Sequence, residues 1–128
     1  MSAHSRVNAI TTLFVVSNLQ QSVSFYCDRL GFTDPSIWGE PPCFAMINRD
    51  GFDLMLSLVE KPGQVQPNGP AGVWDLYIKV ADLEAEAAAL RAAGVVLVRE
   101  PADTVYGMRE MECLDPDGHR ICFGQELG

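Results

Sequence analysis

A strand followed by a helix occurs twice in this sequence, and this repeat constrains the fold more than any other feature. The segment TLFVV (residues 12–16) precedes SNLQQSVSFYCDRLGF, and DLYIKV (residues 75–80) precedes ADLEAEAAALRAAGV. Asn18 at the start of the first helical segment aligns with Asp82 in the second, 64 residues later. A repeat that is half the chain long indicates a duplicated module and not a solenoid of short repeats.

The residues at the helix ends support this interpretation. Ser17 or Asn18 is expected to cap the first helix and Asp82 the second, because short polar side chains accept hydrogen bonds from the first free N–H groups. Gly31 and Gly94 follow the helices, in the position where glycine commonly ends a helix. Both predicted helices therefore have a beginning and an end that can be read from the residues.

Further apolar strands follow each helix: CFAMINR and FDLMLSLV in the first half, and VVLVRE, REMECL and RICFGQ in the second. We therefore predict an α+β fold of two βαβββ modules, which span residues 8–60 and 72–126. The Pro- and Gly-rich residues 61–71 are expected to form the linker, and residues 1–7 an N-terminal tail. Two such modules would bring curved sheets around a cleft.

Composition and charge exclude several functions. Nine basic against seventeen acidic side chains give a net charge of −8, which disfavours binding to nucleic acid. No apolar run approaches the roughly 18 residues of a membrane span, and the N-terminus lacks the apolar core of a signal peptide. We expect a cytoplasmic protein. Its four cysteines contain no Cys-x-x-Cys pair and are expected to be reduced thiols.

Two segments carry a resemblance to a known family. VSNLQQSVSFYCDRLGF near the start and YGMREMECLDPDGHRICFGQ near the end resemble the vicinal oxygen chelate superfamily, which includes glyoxalase I, extradiol dioxygenases and bleomycin-resistance proteins. The resemblance covers about residues 8 to 126. It implies two βαβββ modules around a shared cleft. Because the chemistry of this superfamily is diverse, the fold alone does not determine the function.

The resemblance also indicates which positions would hold a metal ion. In the metal-dependent members, His and Glu side chains at four positions bind a divalent ion, and these positions are Thr11, Met55, Asp75 and Cys122 in this chain. Thr is a poor ligand, and a Met thioether suits cuprous copper and not zinc, nickel, iron or magnesium. We predict no metal site and no cofactor.

Strand alternation predicts which side chains face the cleft. In DLYIKV, Asp75 and Tyr77 alternate with apolar residues that should pack beneath the helix, and Met55 alternates with leucines in DLMLSL. Asp75 has three open roles: binding a cationic ligand, acting as a general base, or pairing with Lys79 or Arg109. His119 is interpreted as a polar turn residue. The predicted ligand-binding residues are Trp38, which is placed in a loop, and Phe44, Met55, Asp75, Tyr77, Tyr106, Met108 and Cys122, with Trp74 as a further candidate.

Two functions remain open from the sequence. The first is a metal-independent small-molecule-binding protein that resembles bleomycin-resistance proteins, which sequester a cationic or aromatic antibiotic in grooves shared by two chains. The second is an enzyme, a lyase, isomerase or dioxygenase with an atypical metal site or no metal, that would use Asp75 together with Glu112 or Cys122. Because duplicated modules leave sheet edges and broad faces to cover, we also expect a homodimer.

Overall fold

The first module is a four-stranded mixed sheet with one helix. A computed structural model describes residues 3–128; residues 1 and 2 of the predicted tail lie outside them. The strands follow the order β1-β4-β3-β2, and only β1 and β4 are parallel. The elements are β1 (Thr12–Val16), α1 (Leu19–Asp28), β2 (Thr33–Trp38), β3 (Phe44–Arg49) and β4 (Phe52–Leu58).

The second module repeats this arrangement. Its sheet has the order β5-β8-β7-β6, with β5 and β8 parallel. The elements are β5 (Leu76–Lys79), α2 (Leu83–Ala92), β6 (Arg99–Asp103), β7 (Met108–Leu114) and β8 (Arg120–Glu126). The predicted α+β fold of two βαβββ modules is confirmed. Two short 3₁₀ turns, Pro62–Gln64 and Gly69–Ala71, lie between the modules.

The helix ends match the predicted residues. Asn18 accepts a hydrogen bond from the Gln21 amide at 3.0 Å, so Asn18 and not Ser17 caps α1. Asp82 caps α2 in the same way, through the Ala85 amide at 3.1 Å. Gly31 and Gly94 adopt positive φ angles of 77° and 83° just beyond the helices.

The helix-bearing faces of both sheets share one core. Apolar residues of β1, β4, β7 and β8 pack with α1 and α2 in a single cluster. Two aromatic residues of the first module contact the turn before β8: Tyr26 donates to Asp115 at 2.7 Å, and Phe14 stacks on His119 with ring centroids 4.2 Å apart. The interpretation of His119 as a simple turn residue is wrong, because its side chain is buried between the modules.

The outer strands of the two sheets have a shared irregularity. The register of β2 against β3 shifts around Pro35, and the register of β6 against β7 shifts around Pro101. Proline donates no backbone hydrogen bond, so these outer edges are poor templates for another strand. The opposite edges, formed by β1 and β5, contain no proline.

Two local predictions are wrong. Residues 95–98 of the predicted strand VVLVRE are not extended in the sheet, and β6 begins at Arg99. Trp38 is not a loop residue, because it is the last residue of β2 and lies opposite Phe44 in the register. No helix between residues 3 and 128 is long and apolar enough to cross a membrane.

Candidate ligand-binding site

The face of the second sheet that points away from the helices carries a group of charged and aromatic residues. Alternation places Met111 and Cys113 of β7 in the core, so Glu110 and Glu112 take the opposite, concave face. Across the strands, Tyr77 lies opposite Cys122, Cys122 opposite Glu112, and Glu112 opposite Arg99. The register therefore brings residues from four strands into one row.

Glu110 is fully buried and is held by three donors. Its carboxylate accepts hydrogen bonds from the Tyr77 hydroxyl at 2.8 Å and the Tyr106 hydroxyl at 2.6 Å. Arg99 Nη1 donates to the same carboxylate at 3.2 Å. A buried carboxylate is tolerated when it is paired and hydrogen-bonded in this way.

Glu112 is nearly buried and has a second set of partners. Trp74 Nε1 donates to it at 3.1 Å, Arg99 Nη1 at 2.9 Å and Arg120 Nη1 at 2.7 Å. Burial alone would raise the pKa of this carboxyl, but the hydrogen bonds from Trp74, Arg120 and Arg99 outweigh it, and the pKa is lowered below its usual value of 4.5. Glu112 is therefore a charged carboxylate in an ion-paired network.

Aromatic side chains cover part of this network and line a small pocket. The rings of Trp74 and Tyr77 lie 5.0 Å apart, and Tyr106 and Met108 lie nearby. The pocket is shallow and largely open to solvent, with a volume of about 450 Å³. We refer to it as the aromatic pocket, lined by Trp74, Tyr77, Lys79, Tyr106, Met108 and Glu110.

Gly124 makes the position of the Tyr77 ring possible. The Tyr77 side chain lies across Gly124 on its way to Glu110, which is the register partner of Gly124. A Cβ atom at position 124 would overlap the Tyr77 hydroxyl and lie only 2.5 Å from its Cζ atom. A side chain at position 124 is therefore incompatible with the observed Tyr77 conformation.

The two pocket tyrosines are held in the protonated form. Burial and the adjacent Glu110 carboxylate raise the pKa of Tyr77 well above its usual value of 10.0. The hydrogen bond to Glu110 raises the pKa of Tyr106 as well. Both hydroxyls therefore act as hydrogen-bond donors to Glu110 near neutral pH.

Cys122 lies beneath this network as a protonated thiol. It is buried, and burial together with the nearby Glu110 and Glu112 charges raises its pKa to about 12. A thiolate nucleophile needs a lowered pKa. The raised pKa therefore argues against Cys122 as an activated nucleophile. All four cysteines are free thiols.

Asp75 has different partners from those predicted. One carboxylate oxygen accepts from the Asn68 amide at 2.9 Å, and the other accepts from the Arg120 amide at 2.8 Å. Lys79 pairs instead with Glu126, and Arg109 with Asp103, so the third of the open roles of Asp75, a pair with Lys79 or Arg109, is wrong. Asp75 fastens the linker and the start of β5 to β8.

The predicted residues of the first module form a separate group. The rings of Trp38 and Phe44 lie 5.5 Å apart, and Met55 is the register partner of Met46 on the concave face of the first sheet. No hydrogen bond or ring contact within residues 3–128 joins this group to Tyr77, Tyr106, Met108 or Cys122. Each sheet of the chain therefore carries its own separate group of aromatic and sulfur-containing side chains on its concave face.

A larger cavity of about 970 Å³ lies between the modules. It is lined by residues 8–12, by the start of β4, and by β5 and the start of α2, and it includes the Arg49–Glu86 ion pair. This cavity adjoins the edges of β1 and β5 that no other strand covers. It lies where the two sheets meet, and its lining includes the aromatic side chains of Phe32, Phe52 and Tyr77.

The residues at the four metal-ligand positions do not fit a divalent ion. Both oxygens of Asp75 already accept backbone hydrogen bonds, and the Cys122 thiol is protonated. Thr11 and Met55 supply no charged or imidazole donor. Among residues 3–128, no three His, Cys, Asp or Glu side chains are grouped so that they could hold a metal.

Sequence reasoning missed the centre of this site. Glu110 and Arg99 were not candidates, Glu112 was considered only for an enzyme, and Arg120 was not considered at all. Alternation in the strand MREMECL does contain the signal, because a core Met111 places its neighbours Glu110 and Glu112 on the other face. The partners of those glutamates come from other strands and could not be predicted locally.

Comparison with known proteins identifies the family. The model of the Glyoxalase/Bleomycin resistance protein/Dioxygenase superfamily matches residues 6–123. TnmS3, an antibiotic binding protein from Streptomyces sp. CB03234, has a similar structure, with 26% identity over 98% of this chain and 99% of that chain and a TM-score of 0.73.

Two further solved structures show the same fold. A glyoxalase/bleomycin resistance protein/dioxygenase from Nocardioides has 22% identity over 98% of this chain and 87% of that chain, with a TM-score of 0.72. A virulence protein from Salmonella typhimurium has 20% identity over 96% of this chain and 100% of that chain, with a TM-score of 0.73. None of the curated proteins compared matches the sequence. The chain belongs to the glyoxalase/bleomycin resistance protein/dioxygenase superfamily.

Proposed function

We propose that the protein is a metal-independent small-molecule-binding protein, and that its ligand lies in the aromatic pocket. One observation carries this proposal: Trp74, Tyr77 and Tyr106 group around a pocket whose polar side chains are already paired with one another. Rigid aromatic walls with few free polar groups suit an aromatic compound.

The side chains that an enzyme of this superfamily would need are engaged elsewhere. Asp75 binds two backbone amides, Glu112 is fixed by three donors, and Cys122 is protonated. A general base or nucleophile requires a free and reactive group. These contacts favour binding over catalysis.

Similarity to TnmS3 supports the same function. TnmS3 is an antibiotic binding protein and has the same fold over nearly the whole of both chains. We propose that this protein likewise sequesters an aromatic compound, such as an antibiotic, in the cytoplasm. Sequestration requires only shape and a few polar anchors, which the aromatic pocket offers.

We further propose that the protein is a homodimer in which two chains complete each site. The edges of β1 and β5 are uncovered, and Leu13 and Trp38 on the first sheet are each about half exposed. Pairing one chain's first sheet with the partner's second sheet would place Trp38, Phe44 and Met55 opposite the aromatic pocket. Light scattering should give twice the mass of the chain, and a monomer at micromolar concentration would contradict the dimer.

The binding proposal is tested by a ligand search with two matched variants. Native mass spectrometry of protein purified from its own host, and a screen of aromatic antibiotics followed by tryptophan fluorescence, should identify a compound that binds. Trp74→Ala should weaken it by about 5- to 150-fold, since loss of an aromatic contact in a binding site costs about 1–3 kcal/mol.

Phe52→Ala is the control, because Phe52 lines the larger cavity and not the aromatic pocket. It should leave the affinity within about twofold. If Phe52→Ala weakens ligand binding and Trp74→Ala does not, the ligand binds in the larger cavity and not in the aromatic pocket. Stoichiometric zinc, nickel, iron or manganese in protein prepared without chelators would overturn metal independence.

A further inference from the structure

We infer that the aromatic pocket selects uncharged, planar aromatic compounds that bring their own hydrogen-bond donors. This inference rests on the proposed binding function and names its ligand class. It differs from what the net charge of −8 suggests, since that charge would favour a cationic ligand. The selection depends on the charges and hydrogen-bond donors at the pocket itself.

The charged groups at the pocket balance one another. Arg99 pairs with both buried glutamates, Glu110 and Glu112. Arg120 pairs with Glu112 as well, and the exposed Lys79 pairs with Glu126 at 2.8 Å. Three carboxylates therefore face three cations: Glu110, Glu112 and Glu126 against Arg99, Arg120 and Lys79. A charged ligand placed here would lose hydration and gain no free counter-charge, which is unfavourable.

Asp75 does not disturb this balance. Both of its oxygens bind backbone amides, of Asn68 and Arg120, and it does not line the aromatic pocket. The remaining net negative charge is spread over the surface, and salt screens such charges beyond about 8 Å at physiological ionic strength. The local balance therefore decides the selection at the pocket.

The hydrogen-bond donors of the aromatic residues point away from the ligand. The hydroxyls of Tyr77 and Tyr106 donate to Glu110, and the indole N–H of Trp74 donates to Glu112. Each phenol oxygen keeps lone pairs that can still accept a hydrogen bond. Among the six lining residues, the remaining side-chain donor is the Lys79 ammonium, one of whose three N–H groups donates to Glu126 at 2.8 Å.

The pocket thus offers ring faces and hydrogen-bond acceptors. A ligand that carries phenol-like or amide N–H donors can satisfy the oxygens of Tyr77 and Tyr106. A ligand with acceptors alone would find one donor group, the exposed Lys79 ammonium, and a cation or anion would find no unpaired charge of opposite sign. Glu110 has a positioning role here, because it turns both hydroxyl protons inward.

Four naphthalene probes of the same ring size separate these cases: 2-naphthol, 2-methoxynaphthalene, 2-naphthylmethylammonium and 2-naphthoate. Tryptophan fluorescence titrations at physiological ionic strength should show 2-naphthol binding most tightly. The methyl ether, which lacks the donor, should bind about three- to tenfold more weakly. The affinity for each charged probe should be lower than that for 2-naphthol by about tenfold or more.

Charge variants add a readout that a purely structural role would not change. Arg99→Gln leaves the charges of Glu110 and Glu112 in excess, so it should raise the ratio of cation affinity to anion affinity by about tenfold. Glu110→Gln removes a negative charge and should lower this ratio. Arg91→Gln is the control, since it makes the same change in net charge at a surface pair with Glu100. It should leave the ratio within about twofold.

Each outcome bears on one proposal or the other. Tighter binding of either charged probe to the wild type, or equal shifts by Arg99→Gln and Arg91→Gln, would overturn the inference while leaving aromatic binding intact. If Glu110→Gln fails to fold, Arg99→Gln still decides, because the Arg99 side chain is 36% exposed. Failure of all four probes to bind folded wild-type protein would overturn the proposed function, and the inference with it.

Discussion

Replacing Gly124 with alanine tests the arrangement on which the site depends. The new Cβ atom would overlap the Tyr77 hydroxyl, so the Tyr77 ring must move and its 2.8 Å hydrogen bond to Glu110 must break. The φ angle of Gly124 is not in the left-handed region, so alanine introduces no backbone strain there. The substitution therefore acts through Tyr77 alone.

The magnitude follows from two opposing effects. A hydrogen bond to a buried carboxylate contributes about 1.5–3 kcal/mol. Replacing glycine by alanine at a compatible position stabilises the protein by about 0.4–1 kcal/mol, because it restricts the unfolded chain. We expect Gly124→Ala to lower the free energy of unfolding by about 0.5–2.5 kcal/mol in urea titrations.

Gly63→Ala is the matched control. No atom lies within 4 Å of a Cβ placed at Gly63, and its φ angle is also outside the left-handed region. Its unfolding free energy should equal or slightly exceed that of the wild type. Ultraviolet titration of the tyrosines provides a second readout, because the raised pKa of Tyr77 should fall towards 10.0 in Gly124→Ala. Equal stability of the two variants, with an unchanged tyrosine titration, would refute the reasoning.

Three further predictions concern residues outside the aromatic pocket. Burial alone would lower the pKa of His119, but the hydrogen bond and charge of Asp115 raise this pKa above 6.5. The protonated imidazole therefore stabilises the fold fully below about pH 6.5, and this stabilisation is lost as the pH rises through the higher pKa of the folded state. Urea unfolding from about pH 6 to about pH 9 should show the loss, and His119→Gln should abolish this pH dependence. Cys122 and Cys113, whose pKa values are both raised to about 12, should react with iodoacetamide far more slowly in folded than in unfolded protein at mildly alkaline pH, and rapid labelling of both would contradict their burial. Asp75→Ala should lower the unfolding free energy by about 1–3 kcal/mol, because two backbone amides lose their acceptor, and a change within experimental error would show that water replaces it.

The repeated pattern of the sequence predicted the architecture because each module is specified locally. Asn18 and Asp82 mark the helix starts by their own hydrogen bonds, and the leucines at every second position, Leu54 and Leu56, identify the buried face of β4. Signals of this kind need only a few neighbouring residues. The fold could therefore be predicted without knowledge of contacts between the modules.

The site could be predicted only in part, because its contacts join distant segments. Alternation placed Tyr77 on the concave face, but the pairing of Asp75 with Lys79 or Arg109 was wrong, since its partners are backbone amides that no side-chain pattern reveals. His119 was misjudged for a similar reason: it stacks on Phe14, which belongs to the other module. Side-chain partners across modules require the three-dimensional structure.

The prolines in the outer strands have a consequence for the size of any assembly. In the proposed dimer, β1 and β5 of each chain are covered by the partner, which leaves only β2 and β6 as open sheet edges. Pro35 and Pro101 interrupt the ladders there, so a third chain finds no regular row of backbone groups on which to add. Growth should stop at two chains, and a binding protein made in large amounts would stay dispersed and not polymerise through its sheets.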